Sequence, residues 1–200
     1  MKKQAGFTLV EIAIVLVIIG LLLGGVLKGR EIINNAKVIN IENSFTGISS
    51  AIYSYQDRYR ALPGDDNDTK TEARWSVDGG NSDGDIEGAF NSTASGESQY
   101  FWLHLRNAKL VAGADNDQTQ PTNAFGGLMG ASSVVDSDKI SISGVHVGFD
   151  KVPGRIAAII DTRSDDLAPT EGGIQATKVD GTIAGDKYEE NTDYTVYFEL

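Results

Sequence analysis

The densest run of side-chain oxygens lies at Asp78-Gly-Gly-Asn81-Ser-Asp83-Gly-Asp85-Ile-Glu87. From Asn81 to Glu87 an oxygen-bearing side chain recurs at every second residue, with glycines filling part of the gaps. That spacing lets a loop fold oxygens around a hard cation, and calcium accepts about six to eight of them in flexible geometry. Asp78, Asn81, Asp83, Asp85 and Glu87 are therefore candidate calcium ligands. The run departs from an EF-hand, lacking the helix–loop–helix setting and the distal Glu at the required spacing. A solvated acidic loop is the other reading, and both stay open. Glu11 is a second chemical anomaly, the one acid in an apolar run from Phe7 to Leu27. A carboxylate is expensive in lipid and marks function by default. Asp161, Asp165 and Asp166 form a third group, read as a turn cap or salt bridge rather than an acid/base pair. His104 falls in a helical stretch and His146 in an alternating one, so they read as separate structural histidines. Gly-x-Ser-x-Gly elbows and phosphate loops are absent, and the chain contains no cysteine for a Cys/His dyad. The expectation is a protein that is not an enzyme.

The elements that position these groups follow from periodicity. The run from Phe7 to Leu27 is long enough as a helix to cross about 30 Å of hydrocarbon. Ile41, Phe45, Ile48, Ile52, Tyr55 and Tyr59 then recur at spacings of three, four and seven, one face of an amphipathic helix. Pro63-Gly64 ends it, which predicts a helix on the order of 80 Å. Tyr53, Tyr55 and Tyr59 read as packing residues rather than an electron-carrying stripe. The stretch from Leu62 to Gly96, rich in Gly, Asp, Asn and Ser, reads as a surface loop with local turns. Glu97 to Lys109 reads as a short helix, and residues 107–130 as loop. Ile140 to Phe149 alternates around Ser143-Gly144 and reads as a strand pair or one kinked strand. Pro153 starts a short helix through Ile156, Ile159 and Ile160. Gly173 to Val179 and Tyr194 to Leu200 read as strands. The fold class is α+β, a long N-terminal helix with a membrane-spanning first half, packed on a mostly antiparallel sheet.

Charge narrows the partners. The formal net charge is -11, with 17 basic and 28 acidic residues. The first thirty residues hold Lys2, Lys3, Lys28 and Arg30 against Glu11, so the remainder sits at -14. A head that acidic offers no basic footprint for nucleic acid. Without cysteine, neither a disulfide frame nor a thiolate metal site is possible.

The N-terminal segment admits three readings. A cleaved signal peptide fits the basic start, but no small-x-small site follows the apolar run well. A simple anchor explains the length and the lysines but not Glu11. Gly6-Phe7-Thr8-Leu9-Val10-Glu11 resembles the processing site of type IV prepilins and type II secretion pseudopilins. The motif covers about a tenth of the chain and is specific, since the glycine, the hydrophobic residue after it, the offset Glu and the apolar run must coincide. Tyr59-Arg-x-Leu62-Pro-Gly-Asp65 and the Ile160–Pro169 segment likewise resemble stretches of pilin-like chains.

The resemblance implies a membrane peptidase that cuts between Gly6 and Phe7 and N-methylates Phe7. It implies that Glu11 pairs with the Phe7 amine of a neighbouring subunit. An unpaired buried charge is strongly destabilising, so such a contact sets register. It further implies residues 1–6 as leader, 7–30 as transmembrane and assembly helix, 31–62 as its amphipathic continuation and 63–200 as head. The implied setting is the bacterial inner membrane, single-pass with the head in the periplasm, then a periplasmic or cell-surface filament. Copies of the chain, other pilin-like subunits and the inner-membrane assembly machinery are the implied partners. Helices of related filaments melt in part after leaving the membrane, and Gly20, Gly24, Gly25 and Gly29 mark where that is expected. Several pilin-like heads hold calcium, which adds to the cation reading. The absent C-terminal cysteine pair departs from many type IV pilins and favours a pseudopilin or minor pilin. The rival class is a membrane-anchored binding module with acidic cation- or ligand-binding loops.

Overall fold

The computed structural model describes residues 8–134 and 140–200. The chain divides into two compact units, residues up to Lys37 and Val38–Leu200. One helix, α1, runs Leu9–Tyr59. It holds no proline, and its four glycines between residues 20 and 29 leave it unbroken. In the first unit its apolar side chains are exposed, and one window is long and apolar enough to cross a membrane. In the second unit Val38, Ile41, Ile48, Ala51, Ile52 and Tyr55 are buried, with Phe45 and Tyr59 half-buried. That includes the whole predicted face, whereas Tyr53, read from the sequence as a packing residue, is 56% exposed. The helix stops where Arg60 turns left-handed at φ 59° and its N–H bonds the Gln56 carbonyl, shortly before Pro63.

The head is built on a four-stranded sheet of β1 (Met129–Ser132), β2 (His146–Pro153), β3 (Ile174–Lys178) and β4 (Asp193–Glu199). Its order is β1-β2-β4-β3, and every pairing is antiparallel. Tyr194, Val196 and Phe198 alternate onto the helical side of β4, where Phe198 stacks on Phe45 of α1 at 4.8 Å between ring centroids. The opposite face is covered too. Phe90 lies edge-on to Tyr197 and directly over Gly148, where a Cβ would collide with its ring. Among the described residues the head also holds three helices, α2 (Asp68–Trp75), α3 (Glu97–Asn107) and α4 (Gly154–Ser164).

Several sequence expectations change here. Residues 65–96 hold a helix, α2, capped by the Asn67 side chain on the Thr69 N–H and closed by left-handed Ser76. Its sequence DTKTEARW has no apolar period, which is why it reads as loop. The stretch expected as loop over residues 107–130 ends inside β1, a strand of only four residues, Met129-Gly-Ala-Ser132. Of the strand pair or single kinked strand expected within Ile140–Phe149, the structure has one strand, β2, which begins at His146 and pairs with β1 and β4, while Ile140–Ser143 lies outside the strands. α4 runs on to Ser164, and β3 and β4 fall where expected.

Both sheet edges are blocked. On β3 the outward N–H groups of Ile174, Ala176 and Lys178 bond Asp165 Oδ2, Pro169 O and Thr182 O. Beside β1, Met129 N–H bonds Pro121 O and Ser133 N–H bonds Ile86 O. An edge so occupied offers no template for adding a strand from another chain.

Candidate functional site

Two regions concentrate unusual chemistry, one in each unit. At the start of α1, Thr8 and Glu11 form a reciprocal cap. The Thr8 N–H and Oγ1 hydroxyl both donate to Glu11 Oε2 at 2.8 Å, and the Glu11 N–H donates to Thr8 Oγ1 at 3.2 Å. The first helical bond runs from Ile12 N–H to Thr8 O at 3.3 Å. This is the Thr-x-x-Glu capping box, which satisfies amides that open a helix. In hydrocarbon each such amide left bare costs several kcal/mol, so the box offsets part of the cost of a carboxylate there. Sequence reasoning missed this second role of Glu11, although the four-residue signal is present. Gly6 and Phe7 lie outside the described residues.

The second region is the turn between α1 and α2 together with the glycine-rich loop. Asp65 and Asp66, expected on a surface loop, are buried at 3% and 0% exposure. Asp66 Oδ2 accepts the Tyr55 hydroxyl at 2.8 Å and pairs with Arg74, which ties α2 to α1. Arg74 also lies over the Tyr59 and Trp75 rings. Asp65 turns towards the loop instead. Its Oδ1 accepts the Asp83 N–H at 3.1 Å and its Oδ2 the Gly84 N–H at 2.9 Å. Glu97, at the start of α3, completes the grip. Its Oε1 accepts the Asn81 N–H at 3.0 Å and its Oε2 the Glu87 N–H at 2.9 Å. Gly80 is required by this close approach, since a Cβ would fall 2.5 Å from both Asp65 Cα and Glu97 Oε1.

Burial pushes the Asp65 carboxyl above its ordinary range against the opposing pull of loop amides. It does the same to Glu97, and the Asp65 and Glu87 charges add to the shift.

Of the five candidate calcium ligands, Asp83 alone joins the carboxylate group that the described residues bring within 4.8 Å, and its companions are Asp65 and Glu97. Asp78, Asn81, Asp85 and Glu87 are exposed and lie outside that group. Asn81, Asp83 and Asp85 are linked by successive turn bonds, Asp83 N–H to Asn81 Oδ1 and Asp85 N–H to Asp83 Oδ1. Asp78 offers its backbone carbonyl to His104 Nε2 at 2.9 Å. The four side-chain oxygens of Asp65 and Glu97 each accept one N–H of the loop, which is further anchored by Ser82 N–H to Asp65 O and Ile86 N–H to Ser133 Oγ. No local pattern announces the pairing, because Asp65 and Glu97 are far apart in sequence and grip backbone amides.

The remaining candidates are structural. His104 Nδ1 accepts the Gly64 N–H at 2.9 Å, which fixes the turn beside Asp65. His146 lies apart on β2, with Nδ1 3.1 Å from Gly144 O. Its Nε2 is buried with no partner among the described residues. Burial lowers both histidines below their usual value. Asp161 accepts the Leu167 N–H and the Tyr188 hydroxyl, Asp165 the Ile174 N–H, and Asp166 the Ala168 N–H. These three carboxylates cap the turn before β3, the role their spacing predicts.

Residues 1–27 match the model of the prokaryotic N-terminal methylation motif. That motif is the signature of the prepilin-type segment of type IV pilins and pseudopilins. No curated protein and no solved structure matches the chain.

Proposed function

We propose that this chain is a structural subunit of a helical filament, a type IV pilus-like fibre or a type II secretion pseudopilus. It is made as a precursor anchored by α1, cut between Gly6 and Phe7, methylated on the Phe7 amine and assembled through α1. The observation that carries the reading is the methylation motif on residues 1–27, placed at the head of a helix whose apolar side chains stand exposed. Exposed apolar surface on that scale needs lipid or other subunits to cover it. The blocked sheet edges support the same route, because strand addition between heads has no free edge to use.

In the proposed filament the new Phe7 amine meets the Glu11 carboxylate of a neighbour. Slipped subunits would leave both charges unpaired in an apolar bundle, a large penalty that selects one register. No turnover is involved, and the acidic head contributes solubility and surface. The test is mass spectrometry of the membrane-extracted chain together with electron microscopy of sheared surface or periplasmic material. Expected are a Phe7 terminus carrying one methyl group and fibres containing the chain. A mature protein still beginning at Met1 overturns the proposal in favour of a plain anchor.

A further inference from the structure

The second unit carries an open groove of about 520 Å³ between α1, the end of α4, the start of β3 and the end of β4. Its floor is apolar. Ile174 and Phe198 are 5% and 4% exposed, and the half-buried Phe45 stacks on Phe198. Its rim holds Glu42, Asp165 and Glu199 against Arg163, a net charge of -2. Arg163 is already paired, its Nε 3.3 Å from Glu42 Oε1. An occupant that fits must bring apolar side chains flanked by net positive charge.

One segment of this chain has that composition. Between Lys28 and Lys37, Ile32 and Ile33 are 61% and 57% exposed. Lys28, Arg30 and Lys37 against Glu31 give this segment +2, in a chain whose residues from 31 onward total -14. The complement in both sign and size points to a second copy of the chain as the source.

We propose that the groove receives the 28–37 segment of a second copy, with Ile32 and Ile33 over the Phe45–Ile174–Phe198 floor and Arg30 against Asp165 and Glu199. The proposal rests on the filament reading and names one contact within it. Between parallel helices, setting Arg30 level with Glu42 on the groove rim implies an axial shift of about 18 Å, against about 6 Å for the Phe7–Glu11 contact, so the copy seated in the groove is a different neighbour from the one that pairs Phe7 with Glu11. The two copies are therefore staggered along the fibre rather than level.

The absence of cysteine from the sequence makes cross-linking a direct test. The full chain carrying Arg30→Cys and Glu199→Cys, produced with its assembly machinery and oxidised, should give disulfide-linked multimers containing only this chain. In parallel, Arg30→Glu or Glu199→Lys alone should lower fibre yield about fivefold, the upper worth of an exposed ion pair, and the two together should restore it. Fibres without the cross-link, or reversals that fail to rescue one another, overturn the proposal. So does a cross-link to a different polypeptide, which would give the groove another occupant. An unmodified chain that is never cut and forms no fibre overturns the filament reading itself and takes this contact with it.

Discussion

Glu97→Ala tests how the head is held together without disulfides. The substitution removes the acceptors of the Asn81 and Glu87 N–H groups. It also removes a side chain whose residue is only 7% exposed. A buried donor stripped of its acceptor costs about 1–3 kcal/mol. Asn81 and Glu87 are themselves exposed residues, so water recovers part of this and the lower half of the range applies to each. The sum is about 2–4 kcal/mol. For a chain of this size 1 kcal/mol moves the melting point by about 2–4 °C, so a fall of roughly 4–16 °C is expected. The assay is thermal unfolding of the full chain in detergent, followed by near-ultraviolet circular dichroism, since Trp102 shares α3 with Glu97 and Trp75 lies on α2. Asp85→Ala is the control, an exposed carboxylate in the same loop expected to change stability by less than about 0.5 kcal/mol. A Glu97→Ala melting point within about 2 °C of the parent, or an equal loss for both variants, refutes the reasoning.

Gly148→Ala drives a methyl into the Phe90 ring and should cost about 1–3 kcal/mol in the same melting assay, with no loss marking the site as roomier than it looks. Both histidines have lowered values, so the unfolded chain takes up protons first as pH falls below the ordinary 6.5. Stability should therefore decline from pH 7.5 towards 5.5, and His146→Phe should flatten the decline; a rise over that window contradicts the burial argument. The raised carboxyls of Asp65, Glu97 and Asp161 act oppositely, returning stability as pH falls through their folded values, and Glu97→Gln should remove its share of that recovery. Glu11→Ala should leave the head folded and abolish fibres. Glu11→Gln keeps an acceptor for the Thr8 cap but not the charge, so fibres should be lost with α1 helicity intact, as read by far-ultraviolet circular dichroism in detergent.

What the sequence revealed depended on how far apart the cooperating residues stand. α1 was legible because its apolar face repeats over many turns with no proline before residue 63. β3 and β4 were legible for their alternation. α2 was not, since Asn67 and Ser76 define it from its ends and its apolar residues, Ala73 and Trp75, form no repeat. β1 was not, because Met129–Ser132 carries almost no apolar pattern and owes its strand form to β2. In the candidate site the oxygen-rich loop was conspicuous, yet the carboxylates that organise it, Asp65 and Glu97, lie outside that run. They act on backbone amides, which leave no mark in the side-chain pattern. Glu11 shows the opposite case. Its cap with Thr8 was written in four residues, but its place in an apolar run drew attention to an intermolecular role instead.

The central claim is that residues 1–27 are a processing and assembly segment, and the mature N-terminus tests it most directly. Intact-mass and peptide mass spectrometry of the chain from fibres or membranes should find Phe7 first, with a single methyl on its amine. A chain that retains Met1–Gly6, or one cut beyond Leu27 so that α1 loses its apolar half, would contradict the account.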